Sequence, residues 1–305
     1  MSRTRTYRAT GINLKSSPLG ESDRIITILT RECGLIRAVA AGSRKPKSSL
    51  GGRCALFVVN ELLLARGKSL DRLTQAETIA TYSGLSRDLG RLTASQYLAE
   101  LVLFQASDEH PDPALFDLTL RQLDRLEALP IEATPTMILA TLCAGIMRLL
   151  DFAGLTPQVQ TCGVTHAAIV PDLTDQRWRA GFNFQVGGVI DLALCRQWQQ
   201  ERDPEIRQLW NLDRDAAIAL RIPSPDRYVN ATELALLQHL AYGDSFDRHF
   251  EPLTLQHLAP AWISIENLLR HYAQYHLGQG IQSANLLDSY TTAMLAVPLP
   301  KPPAR

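Results

Sequence analysis

The chain has 305 residues, and its 31 Lys+Arg equal its 31 Asp+Glu. With 46% hydrophobic and 20% charged residues it is globular, not disordered, and long enough for one large core or two to three small ones. Zero net charge excludes a uniformly basic nucleic-acid binder, but the charge is segregated: residues 1–80 hold 14 Lys+Arg against 6 Asp+Glu, and residues 81–305 hold 17 against 25.

Such asymmetry points to an interaction surface on the basic part. No uninterrupted apolar run reaches the roughly 18–20 residues that span a bilayer. The nearest, residues 137–150, contains Arg148 and reads as a buried helix. The first residues lack the apolar stretch of a secretory signal. They are Arg-rich and acid-free like a transit peptide, but their alternation fits a strand better. Five scattered cysteines, an odd number, do not form a disulfide framework, so a reducing cytoplasm is the expected compartment.

In chain order, residues 7–14, 25–29, 35–41, 56–65 and 73–82 read as short strands separated by turn signals. Five strands in about 80 residues predict a small barrel or sandwich, and composition does not separate the two. The period then becomes helical. Thr93-Ala94-Ser95-Gln96 has the form of a capping box. Asp112-Pro113 reads as an N-cap with proline at the first helical position, ahead of a stripe from Leu115 to Leu129. Residues 136–152 are apolar nearly all round, with Gly154 placed to end the helix. Residues 155–190 break the pattern and read as a loop-and-strand insert in which Phe182, Phe184 and Val186 alternate. Helices are expected again over 204–221 and, after the second capping box Asn230-Ala231-Thr232-Glu233, as far as Leu277, with an interruption at Pro260 and an end at Gly278. The proline-rich tail is expected to be unstructured.

The most concentrated signal is Gly42-Ser43-Arg44-Lys45-Pro46-Lys47-Ser48-Ser49, three cations within four residues on a segment too polar for a core. Such a loop suits a phosphate backbone, because each neutralised phosphate releases counterions, and serines and amides donate to phosphate oxygens. Arg8, Lys15, Arg24, Arg37, Arg53, Arg66 and Lys68 accompany it. The stacking aromatics usual on single-strand platforms are scarce, with only Tyr7, Phe57 and Tyr82 available. That favours backbone contact with weak sequence preference. A solvated loop is the competing reading, and composition leaves the two level.

Gly42 to Ser49, a strand, then Gly67-Lys68-Ser69-Leu70-Asp71-Arg72-Leu73-Thr74-Gln75-Ala76-Glu77 resemble the N-terminal domain of the RecO family of bacterial recombination mediators. Glu21-Ser22-Asp23 before Arg24, Gly34-Leu35, and the order of helices, Gly-rich insert and helices fit as well. The resemblance is strong over residues 20–80 and looser after 200. It implies an α+β multidomain chain: an OB-fold barrel over 1–80, a helical domain over 81–154 and 199–290, a zinc-ribbon-like insert over 155–198, and a disordered tail over 291–305. It also implies binding to single- and double-stranded DNA, strand annealing, and partnership with RecR, in some species RecF, and the acidic tail of single-stranded DNA-binding protein, so that RecA loads onto coated strands in the nucleoid.

The insert departs from the family's four-cysteine pattern. Cys162 is present, but Thr165, Asp191 and Leu194 stand where further ligands are expected, and Cys195 is one residue late. Cys162, His166, Asp191 and Cys195 lack the spacing of a closed zinc site. The expectation is therefore that the metal is lost, that Trp178, Phe182 and Phe184 fill its space, and that the protein uses no cofactor. Gly67-Lys68-Ser69 resembles a phosphate loop, but Leu62 replaces the glycine that motif needs. No catalytic constellation is present, so no enzyme is expected. Arg121, Arg125 and Arg148 are candidates for an acidic partner tail, although Arg121 and Arg125 are as well placed to pair with Asp117 and Asp124. The alternative to DNA binding is a scaffold whose basic patch meets an acidic protein.

Overall fold

A computed structural model describes residues 6–108, 110–201, 223–241 and 256–295. The helix expected over 204–221 and tail residues 296–305 lie outside the described residues. The chain divides into two compact units, Met1–Gly145 with Gly280–Arg305, and Ile146–Gln279.

In the first unit five strands close into a barrel: β1 (Thr6–Leu19), β2 (Asp23–Thr30), β3 (Gly34–Ala40), β4 (Val58–Ala65) and β5 (Asp71–Thr81). Their order around the barrel is β1-β2-β3-β5-β4, with β4 returning to β1, which resolves the barrel-or-sandwich alternative. This five-stranded Greek-key arrangement is that of an OB-fold. Alternation builds its interior. Ile26 and Ile28 of β2, Ala38 and Ala40 of β3, and Leu62 and Leu64 of β4 form the core, while Ile25, Thr27 and Arg37 face outward. Truncating Ile26 or Ile28 to alanine should cost about 2–5 kcal/mol. β1 is longer than expected, running through Ser16-Ser17-Pro18. It pairs with β4 only from Thr6 to Ile12, bulges at Leu14, and continues to Leu19 paired with β2 alone. Pro18 therefore withdraws no hydrogen bond from the middle of a sheet.

Helices α1 (Leu89–Gln105), α2 (Pro113–Glu127) and the first half of α3 (Pro135–Phe152) belong with the barrel. α1 starts before the predicted capping box. Asp88 is its N-cap and accepts from the Arg91 amide at 2.9 Å, while Thr93 and Ser95 are buried within the helix. The cap at Asp112, with Pro113 following, is as expected. Barrel and helices are joined by specific contacts. The Arg31 guanidinium pairs with Asp117 at 2.9 Å and lies over the Phe116 ring at 5.9 Å. Gly34 has φ +71, and a Cβ there would meet the His110 carbonyl oxygen at 2.4 Å, so this junction requires glycine. α3 passes by length and composition as membrane-spanning, but 72% of that window is buried and its residues serve as core. The final helix, α7 (Ala284–Leu295), returns to α1: Glu100 accepts from the Gln282 and Ser283 amides at 2.9 and 2.8 Å. The first five residues assigned to the tail, 291–295, are therefore helical.

In the second unit the insert is not self-contained. Its hairpin, β6 (Arg179–Asn183) and β7 (Gly188–Ile190), is joined by β8 (Arg227–Asn230) on the far side of β6, outside the predicted bounds. β8 is too short to show alternation and merges with the capping box that follows. That box forms as expected: Asn230 and Glu233 exchange bonds of 2.8 and 2.9 Å at the start of α5 (Ala231–Ala241). Pro260 does not interrupt a helix but sits in the first turn of α6 (Ala259–Leu277), which Gly278 ends with φ +66. Phe182, fully buried, and Phe184 stack edge-on against Tyr272 of α6 at 5.6 and 6.2 Å. Trp178 is half-buried.

Candidate nucleic-acid interface

Strand register places the cations of the barrel on its surface. Lys15 pairs with Thr27, and Thr27 with Arg37, giving one outward row across β1, β2 and β3. The next row runs Ser17, Ile25, Val39 and, through the parallel β3–β5 pairing, Arg72. Lys15, Arg37 and Arg72 are exposed, while Thr27, Ile25 and Val39 are half-buried. The result is a β-branched floor flanked by cations. Sequence reasoning missed Arg72, because it stands beside Asp71 at the head of a weakly patterned strand.

The basic loop lies at one edge of this platform and is held, not free. Asp23 Oδ1 accepts from the Gly42 amide at 2.7 Å and the Ser22 hydroxyl at 2.8 Å. The Arg44 amide donates to the Ser22 carbonyl at 2.9 Å, and its guanidinium to the Gly20 carbonyl at 3.0 Å. Ser43 is buried and donates to Ala40. The β1–β2 turn thus grips the loop by its base and leaves Arg44, Lys45 and Lys47 exposed. The Gly42 amide and the Ser22 hydroxyl, with smaller help from the Lys45 and Arg72 charges, hold the Asp23 carboxyl below its usual 3.8. Lys47 adopts φ +66, a left-handed backbone uncommon for a non-glycine residue.

The other predicted cations are dispersed. Lys68 is exposed in the β4–β5 turn. Arg66 in the same turn stacks over Tyr7 at 5.3 Å. Arg24 shares the inward face of β2 with Ile26 and reaches Ser16 at 3.3 Å. Arg53 donates to the Ser49 carbonyl at 2.9 Å, and the Ser48 hydroxyl accepts from the Leu50 amide at 3.3 Å, so both serve the loop's own structure. Arg8 and Arg53 line a separate groove of about 650 Å³ together with Glu32, Glu61 and Glu77, where carboxylates outnumber guanidiniums.

None of the three aromatics is presented for stacking. Phe57 is buried. Tyr7 donates to Asp71, and burial together with that bond raises its phenol above the usual range. Tyr82 is raised by burial and by its bond to Asp124.

On α2, Asp117 is engaged by Arg31 and Asp124 by the Tyr82 hydroxyl. Arg121 is exposed, Arg125 reaches Gln122 at 3.5 Å, and Arg148 falls in the second unit. The zinc-ribbon reading of the insert finds no support. Cys162 and Cys195 do come together, with sulfurs 3.7 Å apart, but Asp191 turns its carboxylate to the Ala193 and Leu194 amides at 2.9 and 3.0 Å. Among the described residues no group of three His, Cys, Asp or Glu could hold a metal, so these side chains do not fit zinc.

Comparison with known proteins accords with the barrel and the helical region. The family described as "Recombination protein O N terminal" matches residues 1–82, and "Recombination protein O C terminal" matches residues 86–209. The DNA repair protein RecO of Nostoc sp. strain PCC 7120 is 48% identical over 297 residues, covering 95% of this chain and 97% of that protein. That of Nostoc punctiforme is 47% identical over 303 residues, covering 95% and 98%. That of Synechococcus elongatus is 42% identical over 291 residues, covering 95% and 97%. The chain belongs to the RecO family. Membership carries a role in DNA repair and recombination, and it names the barrel as the RecO N-terminal domain.

Proposed function

We propose that the barrel binds DNA through its sugar-phosphate backbone and anneals complementary strands, without bond chemistry of its own. The observation that carries this reading is the two-row platform of Lys15, Arg37 and Arg72 beside the anchored loop bearing Arg44, Lys45 and Lys47. In OB-folds the face of strands 2 and 3 and the loops 1–2 and 4–5 are the usual nucleic-acid surface. Here these are the Arg37 face, the turn gripping the basic loop, and the turn with Lys68. Exposed cations without exposed stacking aromatics favour phosphate neutralisation over base readout. Two neutralised strands can then approach, and base pairing drives annealing. The helical parts are the proposed seat of partners: RecR, where present RecF, and the acidic tail of single-stranded DNA-binding protein, with Arg121, Arg125 and Arg148 as its candidates. RecA loading on coated strands would follow from this in the cytoplasm, at the nucleoid.

Fluorescence anisotropy of a labelled single strand across a salt series tests the barrel's role. If roughly six phosphates are neutralised, log K should fall with a slope of about −4 against log salt. A slope near zero would sink the mechanism. Binding that an acidic protein displaces and unlabelled DNA does not would return the scaffold alternative.

A further inference from the structure

Two of the five cysteines meet. Cys162 lies in the insert and Cys195 in the first turn of α4 (Leu192–Glu201); their sulfurs are 3.7 Å apart and both residues are fully buried. One residue positions both. The Asp191 amide donates to Cys162 Sγ at 3.4 Å, and the Asp191 carbonyl accepts from the Cys195 amide at 2.9 Å. The Thr165 amide adds a second bond to Cys162 Sγ at 3.5 Å. The surroundings thus favour sulfur and its anion and offer no third metal ligand among the described residues. Gly163, Val164, Thr165 and Leu192 are half-exposed, so the buried pair lies one residue below the surface and a small oxidant reaches it through a local opening of the loop.

We propose that Cys162 and Cys195 form a reversible disulfide, oxidised by a small peroxide and reduced by a dithiol, that fastens the start of α4 to the insert loop. The two sulfurs have distinct roles. Burial works against ionisation of Cys162, but hydrogen bonds from the Thr165 side chain and from the Thr165, Val164 and Asp191 amides outweigh it and hold the thiol below its ordinary value. Burial first, and then the neighbouring Cys162 charge, push Cys195 up to about 12. Cys162 is therefore the attacking thiolate. It bonds to one peroxide oxygen, the O–O bond breaks, and the leaving hydroxide takes up the proton that Cys162 released, giving water and a sulfenic acid. Cys195 sulfur then attacks Cys162 sulfur. The S–S bond forms, the S–O bond breaks, and hydroxide leaves with the Cys195 proton as a second water. Two thiols are oxidised by two electrons and one peroxide is reduced. The sulfurs must close from 3.7 Å to about 2.05 Å, a local shift of rotamer and loop.

The test needs no DNA-binding assay, so it stands apart from the proposed function. Full-length protein in metal-free buffer is treated with graded hydrogen peroxide, its remaining thiols are blocked with a maleimide, and intact mass and non-reducing peptide maps are read. Two thiols should disappear together, with a peptide joining Cys162 to Cys195 that dithiothreitol reverses. In Cys195→Ser, dimedone should trap a sulfenic acid at Cys162, and in Cys162→Ser trapping at Cys195 should be at least tenfold slower. Prior consumption of Cys33, Cys54 or Cys143, a cross-link between two chains, both thiols still titratable when other cysteines are oxidised, or stoichiometric zinc shielding the pair would each overturn it.

Discussion

On the β1–β2–β3 face of the barrel, Lys15, Arg37 and Arg72 stand at the ends of rows whose centres are Thr27, Ile25 and Val39. On the β1–β4–β5 face, Arg8 shares a row with Leu63 and Gln75, and the next row sets Thr10, Glu61 and Glu77 side by side. Both faces are outward β-surface and both contain arginine. Only the first has two successive rows that carry cations and no carboxylate; the base of the basic loop is anchored beside them through Asp23, while its far end, Ser49, lines the groove of the second. The difference shows that a count of cations on a segment does not locate a phosphate site. Register does, by deciding which charges share a row.

The sharpest way to break the comparison is to remove the loop's charge while keeping its backbone anchors, the Gly42 amide on Asp23 and the Arg44 amide on the Ser22 carbonyl. Arg44→Ala, Lys45→Ala and Lys47→Gly together, with glycine at 47 because the backbone there has φ +66, should leave the fold intact. Three lost phosphate contacts should flatten the salt slope by about 2 and weaken single-strand binding on the order of ten- to a hundredfold at moderate salt. Unchanged anisotropy titrations would remove the loop from the interface. One step down, Lys15→Ala with Arg37→Ala should weaken binding on the order of five- to tenfold, similarly for different sequences, while Arg8→Ala should change it by less than about twofold. Equal losses from both would erase the distinction between the faces.

That distinction was only half legible in the sequence. The apolar runs located all five strands because each alternates around a shared interior, as Ile26 and Ile28 do against Ile25 and Thr27. The basic octapeptide was conspicuous because no core could accept it. What sequence did not carry was pairing between distant segments. The parallel β3–β5 contact spans only Ala38–Asp71 and Val39–Arg72, yet it brings Arg72 to the platform. Likewise, the acids that neutralise the Arg8 face come from β2–β3, β4 and β5, and β8 is recognisable only once β6 is there to pair with it. On α1, local grammar misled: Thr93 to Gln96 has capping-box form, but burial of Thr93 and Ser95 in the helix interior prevailed over it.

The acidic face offers a smaller test by stability. Glu61 and Glu77 lie directly opposite across β4 and β5, an arrangement that costs about 0.2–1 kcal/mol relative to a neutral pair. Glu77→Gln should therefore raise the thermal midpoint by roughly 1–5 °C and leave DNA affinity within about twofold. A large gain in affinity would mean that DNA already touches this face and is repelled there, so the groove containing Arg8 would belong to the interface.

The smallest expected effect separates charge from anchoring on the basic face. Asp23 is a carboxylate amid Arg44, Lys45 and Arg72, so it opposes DNA electrostatically, yet it pins the loop through the Gly42 amide. Asp23→Asn keeps an oxygen acceptor for Gly42 and removes the charge, and should strengthen binding by about twofold. Asp23→Ala removes both and should weaken it, since the freed loop must be ordered on contact. The carboxyl is depressed in the folded state, so its anchoring contribution is complete above the unfolded carboxylate range. It is lost as pH falls through the folded value, below 3.8. Loop protection measured by amide exchange should accordingly be flat with pH at and above neutrality and diminish only in acid, and it should not diminish at all in Asp23→Asn. If the two variants bound DNA equally, the anchoring argument would fail and charge alone would account for the loop.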